Sequence, residues 1–528
     1  MSSRKRRWLI AIGVCLLGVV AVLVITARML AARFQPYVRE QAIEYLQNRF
    51  DSDVELADFR VSVPNTSLFQ LAITRGRGVH ARVEGEGIVL RHMGRRDVPP
   101  MFAMKRFNFE VDLGTLFDDT KFVSLVTLEG MEITIPPQGE RPQYETRGRS
   151  RAPNVLIQEV IISNAMLTIL PKQKDKTPLR FDIHQLRLES TGKGRAMKYD
   201  AALTNAMPPG EILSNGNLGP WVAGEPGDTP LDGQYNFAKA DLGVFQGIAG
   251  ILNSTGTFTG TLDSINARGQ ASVPDFRLKI SGNPVPLSTK FEALIDGTNG
   301  NTVLKPVVAK LGTTDFTTSG AIIKHEGSRF RTISLTVSMP KGNMKDLLRL
   351  AMKGTPFMEG QIALKTKIDI PPLSGKVREK LRLAGNFEVT GGRFLQSKIQ
   401  DKIDTLSRRG QGQPKNAEID EVISKMTGTF NLEDEVMTFE TLSFGVPGAD
   451  VDLAGNYTFD GPLDFHGTLK LKARVSQTMT GLKRLLLKPV DPFFAKNGAG
   501  TFLRIKVDGT AADPQFGRDT NKRKKDDT

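Results

Sequence analysis

The sequence predicts a mostly β protein, in which an antiparallel sheet is accompanied by a few amphipathic helices and one N-terminal transmembrane helix. Short segments of alternating apolar and polar residues recur along most of the chain, and period two is the pattern of a strand with one apolar face. The chain has 51 Gly and 29 Pro but only 7% aromatic residues, which favours strands separated by turns. An uncharged apolar run lies near the N-terminus, at 8–27.

The N-terminal run 8–27 predicts a membrane anchor. Its twenty residues carry no charge, and this length is enough to span a bilayer as a helix. A cleavable signal peptide is the alternative, but its apolar region is usually shorter. The basic tail at 1–7 holds four positive charges, which predict a cytoplasmic N-terminus and an exported body. The segment 28–50, with Pro36 as a kink, predicts a juxtamembrane helix.

The exported part of the chain lacks cysteine, since Cys15 lies inside the predicted anchor. We therefore expect no disulfide. The formal net charge is +14, of which +10 remains beyond the basic tail. This charge favours anionic lipid headgroups or other acidic surfaces, although solubility alone is an equally good interpretation because 57 acidic residues are interspersed. Basic and aromatic residues do not interleave, so no nucleic acid partner is expected.

Three β regions are predicted after the juxtamembrane helix. Their ranges are 51–225, 231–375 and 380–516. A loop dense in Gly and Pro, at 205–230, separates the first region from the second. The charged tail at 517–528 predicts disorder.

Helical spacing interrupts the second and third regions. Apolar residues at helical spacing predict short amphipathic helices at 240–254 and at 343–354, the latter with Asn343 as its N-cap. The segment 396–426 predicts a helical hairpin insert that acts as a lid or plug.

The clearest alternation is VDLAGNYTFDGPLDFHGTLKLKARV, at 451–475. Odd positions are apolar or glycine, even positions carry no large apolar side chain, and Asp460-Gly461-Pro462 is turn chemistry. The segment, called the ribbon below, therefore predicts a hairpin with one apolar face. Gly455 and Gly467 lie on that face, where a missing side chain allows curvature or close approach of backbones.

Residues for catalysis or metal binding form no recognisable constellation. The five histidines are scattered, and no HExxH, GxSxG or P-loop motif occurs. His466 lies on the polar face of the ribbon, where a solvated histidine is a simpler interpretation than a general base. The sequence predicts a protein that is not an enzyme and has neither cofactor nor metal.

Four segments carry a resemblance to a known family. They are the N-terminal anchor with YVREQAIEYLQNRFDSDVELADFRVSV, the central segment 273–312, LSFGVPGADVDLAGNYTFDGPLDFHGTLKLKARVSQ, and the closing FLRIKVDGTAADPQFG. In these segments the chain resembles the AsmA family of bacterial envelope proteins, which is related to TamB-like proteins. The resemblance implies an elongated β-groove or twisted sheet. It also implies a single-pass bacterial inner-membrane anchor with a periplasmic body, and a role in outer-membrane biogenesis or homeostasis in which phospholipids move.

Two hypotheses describe the apolar face of the ribbon. Either it lines an open groove that holds or conducts phospholipids, or it packs into closed β-sandwiches whose outer surface binds outer-membrane or periplasmic proteins during assembly. We prefer the groove because alternation recurs with few aromatic residues to fill a core. An envelope hydrolase is disfavoured by the missing site geometry. The candidate lipid-contacting residues are Val451, Leu453, Tyr457, Phe459, Leu463, Phe465, Leu469 and Leu471.

Overall fold

The structure is a computed structural model of the chain. It describes residues 52–62, 80–92, 101–112, 120–135, 154–170, 178–192, 195–220, 225–325, 330–413, 422–458, 461–473, 501–510 and 514–519, with isolated positions elsewhere. The chain forms two compact units, Met1–Gly224 and Glu225–Thr528. The boundary between these units lies one residue from the predicted end of the first β region.

The first unit contains eight described strands that pair in chain order. They are β1 (Ser52–Ser62), β2 (His80–His92), β3 (Phe102–Asp112), β4 (Thr120–Ile135), β5 (Asn154–Ile169), β6 (Leu179–Gly192), β7 (Met197–Ala206) and β8 (Pro209–Leu218). All neighbours are antiparallel except β4 and β5, which run parallel. The described positions between 36 and 47 are helical, and Ile43 packs against the core formed by β1, β2 and β3.

The second unit is a longer antiparallel sheet. Its strands are β9 (Pro230–Asp241), β10 (Ile248–Ala249), β11 (Ile251–Thr261), β12 (Ser264–Val273), β13 (Arg277–Leu278), β14 (Leu287–Ile295), β15 (Thr302–Leu311), β16 (Thr314–Ile323), β17 (Thr332–Asn343), β18 (Met358–Ile370), β19 (Arg382–Phe394), β20 (Ser424–Glu433), β21 (Val436–Val446), β22 (Ala449–Thr458), β23 (Leu463–Leu471), β24 (Thr501–Gly509) and β25 (Pro514–Arg518). Its helices are α1 (Met344–Ala351), α2 (Val377–Lys380) and α3 (Ser397–Gly410). Strands β10 and β13 pair with each other, and the rest pair in chain order from β9 to β25.

The predicted fold class is confirmed in its coarse form, because the protein is mostly β, dominated by antiparallel pairing, and has few helices. Within the parts of the chain that the structure describes, none of the helices combines the length and apolar character needed to cross a bilayer. The predicted anchor at 8–27 and the basic tail at 1–7 lie outside the described residues.

The ribbon is the predicted hairpin. Strands β22 and β23 pair Val451 with Leu469 and Tyr457 with Leu463, so the odd positions of both strands share one face. The even positions of β22 from Asp450 to Asn456 are exposed. The turn fixes the register of the two strands. Because side chains alternate between the two faces, the apolar residues of both strands then lie on one side of the sheet.

One cross-strand row of the second sheet is apolar or glycine in every strand from β9 to β23 except β10 and β13, which pair only with each other. We call it the apolar row. Its members, in the order of their pairing, are Gly233, Phe258, Ala267, Ala293, Leu304, Gly320, Leu335, Ile368, Leu383, Leu432, Met437, Tyr457 and Leu463. At about 4.8 Å per strand, its twelve intervals extend about 58 Å along the sheet. Only Ala267, Ala293 and Leu432 are buried, so the rest of the row keeps part of its surface accessible.

Two of the three helices predicted in the second and third β regions require correction. The helix at 343–354 is confirmed as α1, where the Asn343 side chain accepts a hydrogen bond from the Lys345 amide at 3.0 Å. The helix at 240–254 is wrong: the segment holds a short 3-10 turn, Leu242–Val244, between strands. Gly247 and Gly250 have φ of +93° and +136° there, outside the helical region.

Among the described residues of the insert at 396–426, the first part is helical, as α3, and the prediction of helix through Met426 is wrong. From Ser424 the chain is strand β20, in which Met426 pairs with Val389 and Phe444. A short apolar run fits a buried strand as well as a helix, and strand pairing decides the outcome.

The predicted loop at 205–230 is also wrong in its centre, because β8 lies inside it and pairs with β7 from Met197–Leu218 to Ala206–Pro209. Gly216 lies within that strand, and the remaining Gly and Pro residues lie at its ends or beyond it. At the other end of the chain, β25 reaches into the segment predicted as a charged tail from 517.

Candidate functional site

A cavity of about 1320 Å³ lies on the apolar face of the second sheet, in its C-terminal part. Helix α3 forms one wall through Ile399, Ile403 and Leu406, and strands β20 to β25 contribute the opposite side. The lining is mostly apolar. Its volume exceeds the roughly 300–1,000 Å³ of typical small-molecule sites, so an occupant larger than a metabolite fits it.

Helix α3 owes its position first to its apolar residues. Ile403 and Leu406 pack against a buried cluster beneath the helix, and the cluster is formed by Val422, Val446, Ala449 and Leu471. The spacing of Ile399, Ile403 and Leu406 places all three on one side of the helix. The wall of the cavity is therefore a helix packed against strands β19 and β21 to β23.

Two buried polar side chains hold α3 in addition. Gln400 accepts a hydrogen bond from the Phe394 amide at 2.9 Å and donates to the Val422 carbonyl at 3.2 Å. Ser407, which is fully buried, donates to the Pro447 carbonyl at 2.8 Å. Because these groups are shielded from water, an orientation of α3 that breaks the bonds leaves polar atoms unsatisfied.

The structure places the predicted lipid-contacting residues in three settings. Val451, Leu453, Tyr457 and Leu469 line the cavity. The others that the structure describes are Leu463, which pairs with Tyr457 on the same face, Leu471, which is buried beneath α3, and Phe465, whose ring lies 5.8 Å from that of Phe439. Phe459 lies outside the described residues. Half of the eight candidate residues predicted from the alternation therefore lie around one cavity.

Sequence reasoning missed the part of the lining that comes from β25 and from strands preceding the ribbon. Phe516 on β25 is 62% exposed, and the ammonium nitrogen of Lys402 lies 5.3 Å from the centroid of its ring. Met426 and Phe444 also line the cavity. Alternation in β25 is too short to reveal its face, and no sequence signal indicates which strands lie beside the ribbon.

His466 is held between two carboxylates on the opposite, polar face of β23. Its Nδ1 lies 3.0 Å from Asp519 Oδ2, and its Nε2 lies 3.1 Å from Asp464 Oδ1. The hydrogen bond to Asp519, supported by that to Asp464, raises the pKa of His466 above its ordinary value. Only the protonated ring donates from both nitrogens. Asp519 follows β25 directly, so the contact ties the end of β25 to β23.

We expect the attachment of β25 to weaken as the pH rises. The contribution of a group with a raised folded-state pKa is complete below its unfolded-state value of about 6.5 and is lost as the pH rises through the folded-state pKa. Hydrogen exchange of the Gly517 and Asp519 amides, which face β24, should therefore show falling protection above about pH 6.5 once it is corrected for intrinsic rates. His466→Gln should remove this dependence. An equal pH dependence in both proteins would contradict the expectation.

Among the residues that the structure describes, no group of three or more His, Cys, Asp or Glu side chains is arranged to hold a metal ion. Comparisons with protein-family models, with curated proteins and with solved structures find no match to the chain.

Proposed function

We propose that the protein holds or conducts phospholipids along the apolar face of its second sheet. In this proposal it is anchored in a bacterial inner membrane by the segment 8–27, and its periplasmic body serves outer-membrane biogenesis or homeostasis. The observation that carries the proposal is the cavity of about 1320 Å³ with its mostly apolar lining. Burial of acyl chains contributes about 0.8 kcal/mol per CH₂ group, so partial coverage is enough to retain a lipid.

The apolar row supports the movement of lipids along the sheet as well as their retention in the cavity. Tyr457 belongs both to the row and to the lining of the cavity, so the cavity opens onto the row. The row extends about 58 Å, whereas the hydrocarbon of one bilayer leaflet is about 15 Å thick. A lipid in the cavity therefore meets an apolar path several times longer than its chains.

The partial exposure of the apolar row favours an open groove over closed sandwiches. Residues that face the interior of a sandwich are packed between two sheets and lose nearly all of their accessible surface. In the apolar row, Leu335, Ile368 and Leu383 are only partly buried. These side chains leave room for an apolar ligand above the sheet.

The proposal is tested by asking whether the gently purified full-length chain carries lipid. Mass spectrometry of its extract should show phospholipid, and photoactivatable side chains placed at Leu469 and Leu335 should form lipid adducts. Thr336, which is exposed on the other face of β17, provides the matched control and should form none. An adduct at Leu335 supports conduction, because this position lies outside the cavity lining. An extract without phospholipid and no adduct at either position would sink the proposal.

A further inference from the structure

The cavity is not uniformly apolar, because five charged residues contribute to its lining. They are Asp401, Lys402, Arg409, Lys506 and Arg518. Four of these side chains are cationic and one is anionic. An apolar cavity with an excess of positive charge distinguishes between ligands that share the same acyl chains but differ in their headgroups.

Three of the cations form no ion pair with the carboxylates that the structure describes. Lys506 forms an ion pair with Asp508 at 2.6 Å, and this pairing raises the pKa of Lys506. By contrast, none of the described carboxylates forms an ion pair with Lys402, Arg409 or Arg518. Cations that are solvated rather than paired are free to meet an anionic group of a ligand without first breaking a salt bridge.

The three unpaired cations approach the cavity from two of its walls. Lys402 and Arg409 are seven residues apart on α3, which is about two turns, so both lie on the same side of the helix as Leu406. Arg518 comes from β25, where it pairs with Ile505 on the face that lines the cavity. All three are exposed, whereas Val451 beneath them is buried. The positive charge therefore lies at the water side of the cavity and the apolar surface at its floor.

We propose that the occupant of this cavity is a lipid with an anionic headgroup, a proposal that rests on the lipid-holding function proposed above. Its acyl chain lies on the floor around Val451, Leu453 and Leu469, and its headgroup phosphate meets Arg409 and Arg518. Arginine suits this role because its planar guanidinium donates two parallel hydrogen bonds to a phosphate. Lys402 adds a point charge beside the ring of Phe516.

The test measures how much of each of two fluorescent lipids the purified full-length chain takes up. The two lipids have identical acyl chains. Phosphatidylglycerol carries a net negative charge, and phosphatidylcholine is zwitterionic. We expect phosphatidylglycerol to be preferred about 100-fold at low ionic strength, because one cation near an anionic headgroup contributes about fivefold and three such factors multiply. The preference should be smaller at 1 M NaCl, where the screening length falls to about 3 Å. Lys402→Gln, Arg409→Gln and Arg518→Gln should each lower the preference about fivefold.

The controls separate a loss of charge recognition from a loss of folding. Each neutralised variant should show the hydrogen exchange of the parent protein in peptides that cover β22 and β23, which establishes that it folds. Lys470→Gln removes a cation from the polar face of β23, away from the cavity, and should leave the preference unchanged. Asp401→Asn should increase the preference for phosphatidylglycerol because it removes the single carboxylate of the lining.

The outcomes distinguish this inference from the function on which it rests. Equal uptake of both lipids by the parent protein would overturn the inference and leave lipid holding intact. A preference that persists in all three neutralised variants would overturn the assignment to these residues. Uptake of neither lipid would overturn both proposals.

Discussion

Replacing Gly467 with alanine should accelerate hydrogen exchange across the ribbon hairpin by about 100-fold. Gly467 lies on the apolar face of β23, directly opposite Leu453 on β22. A Cβ atom added there would lie 2.8 Å from the Leu453 Cα and would overlap the Asp452 carbonyl oxygen. Ordinary contacts between carbon atoms are about 3.5–4.0 Å. Because the obstacle is backbone, the strands must separate, at a cost of about 3 kcal/mol.

The matched control is Gly517→Ala on β25. A Cβ atom added to Gly517 would meet nothing closer than the Lys506 Cε, at 3.5 Å. We expect its effect on stability to lie within about 0.5 kcal/mol. Exchange mass spectrometry of peptides covering β22 and β23 measures the first substitution, and peptides covering β24 and β25 measure the second. Similar exchange rates in Gly467→Ala and in the parent protein would show that β22 and β23 are not as close as the structure has them.

Replacing Gln400 with alanine should release helix α3 from the sheet. The change removes the acceptor of the Phe394 amide, a partly buried bond, and the donor to the Val422 carbonyl, a buried bond. A buried polar group left without a partner costs about 1–3 kcal/mol, and here two backbone groups lose their partners at once. We expect about 3 kcal/mol less stability for the docked helix, read as faster exchange of the α3 amides.

Gln396→Ala is the matched control for this substitution. Gln396 precedes α3, is exposed, and makes no capping hydrogen bond with its side chain. Its replacement should change exchange of the α3 amides by less than a factor of about 2. If Gln400→Ala and Gln396→Ala behaved alike, the buried amide would not hold the helix. The Gln400 variant should also retain less lipid, because α3 forms a wall of the cavity.

The local parts of this architecture can be predicted from the sequence. The face of the ribbon follows from a side-chain period of two, and α1 follows from the Asn343 cap and the apolar spacing after it. The segment 240–254 shows the limit of this reasoning. Its apolar spacing fits a helix, but the positive φ of Gly247 and Gly250 turns the chain into strands.

The cavity itself could not be predicted, because its walls are brought together by strand pairing. Residues from Leu348 to Arg518 line it, and no local pattern states which strands are neighbours. The apolar row is equally hidden. Register shifts such as that between Phe439 and Leu442 change which positions within a strand face the same side. The connections between strands also differ in length, so row members such as Phe258 and Ala267 are even-numbered in one strand and odd-numbered in the next.

The length of the apolar row depends on the number of hairpins in the sheet. Each strand adds one row member and about 4.8 Å, so gain or loss of one hairpin changes the length of the row by about 10 Å. Such a change leaves every other pairing intact, because an added pair of strands preserves the direction of the next one. A single-residue insertion within a strand is different, since it turns that strand's apolar side chains toward water. Length is therefore adjustable in steps of two strands, and continuity of the apolar surface depends on each strand keeping its parity.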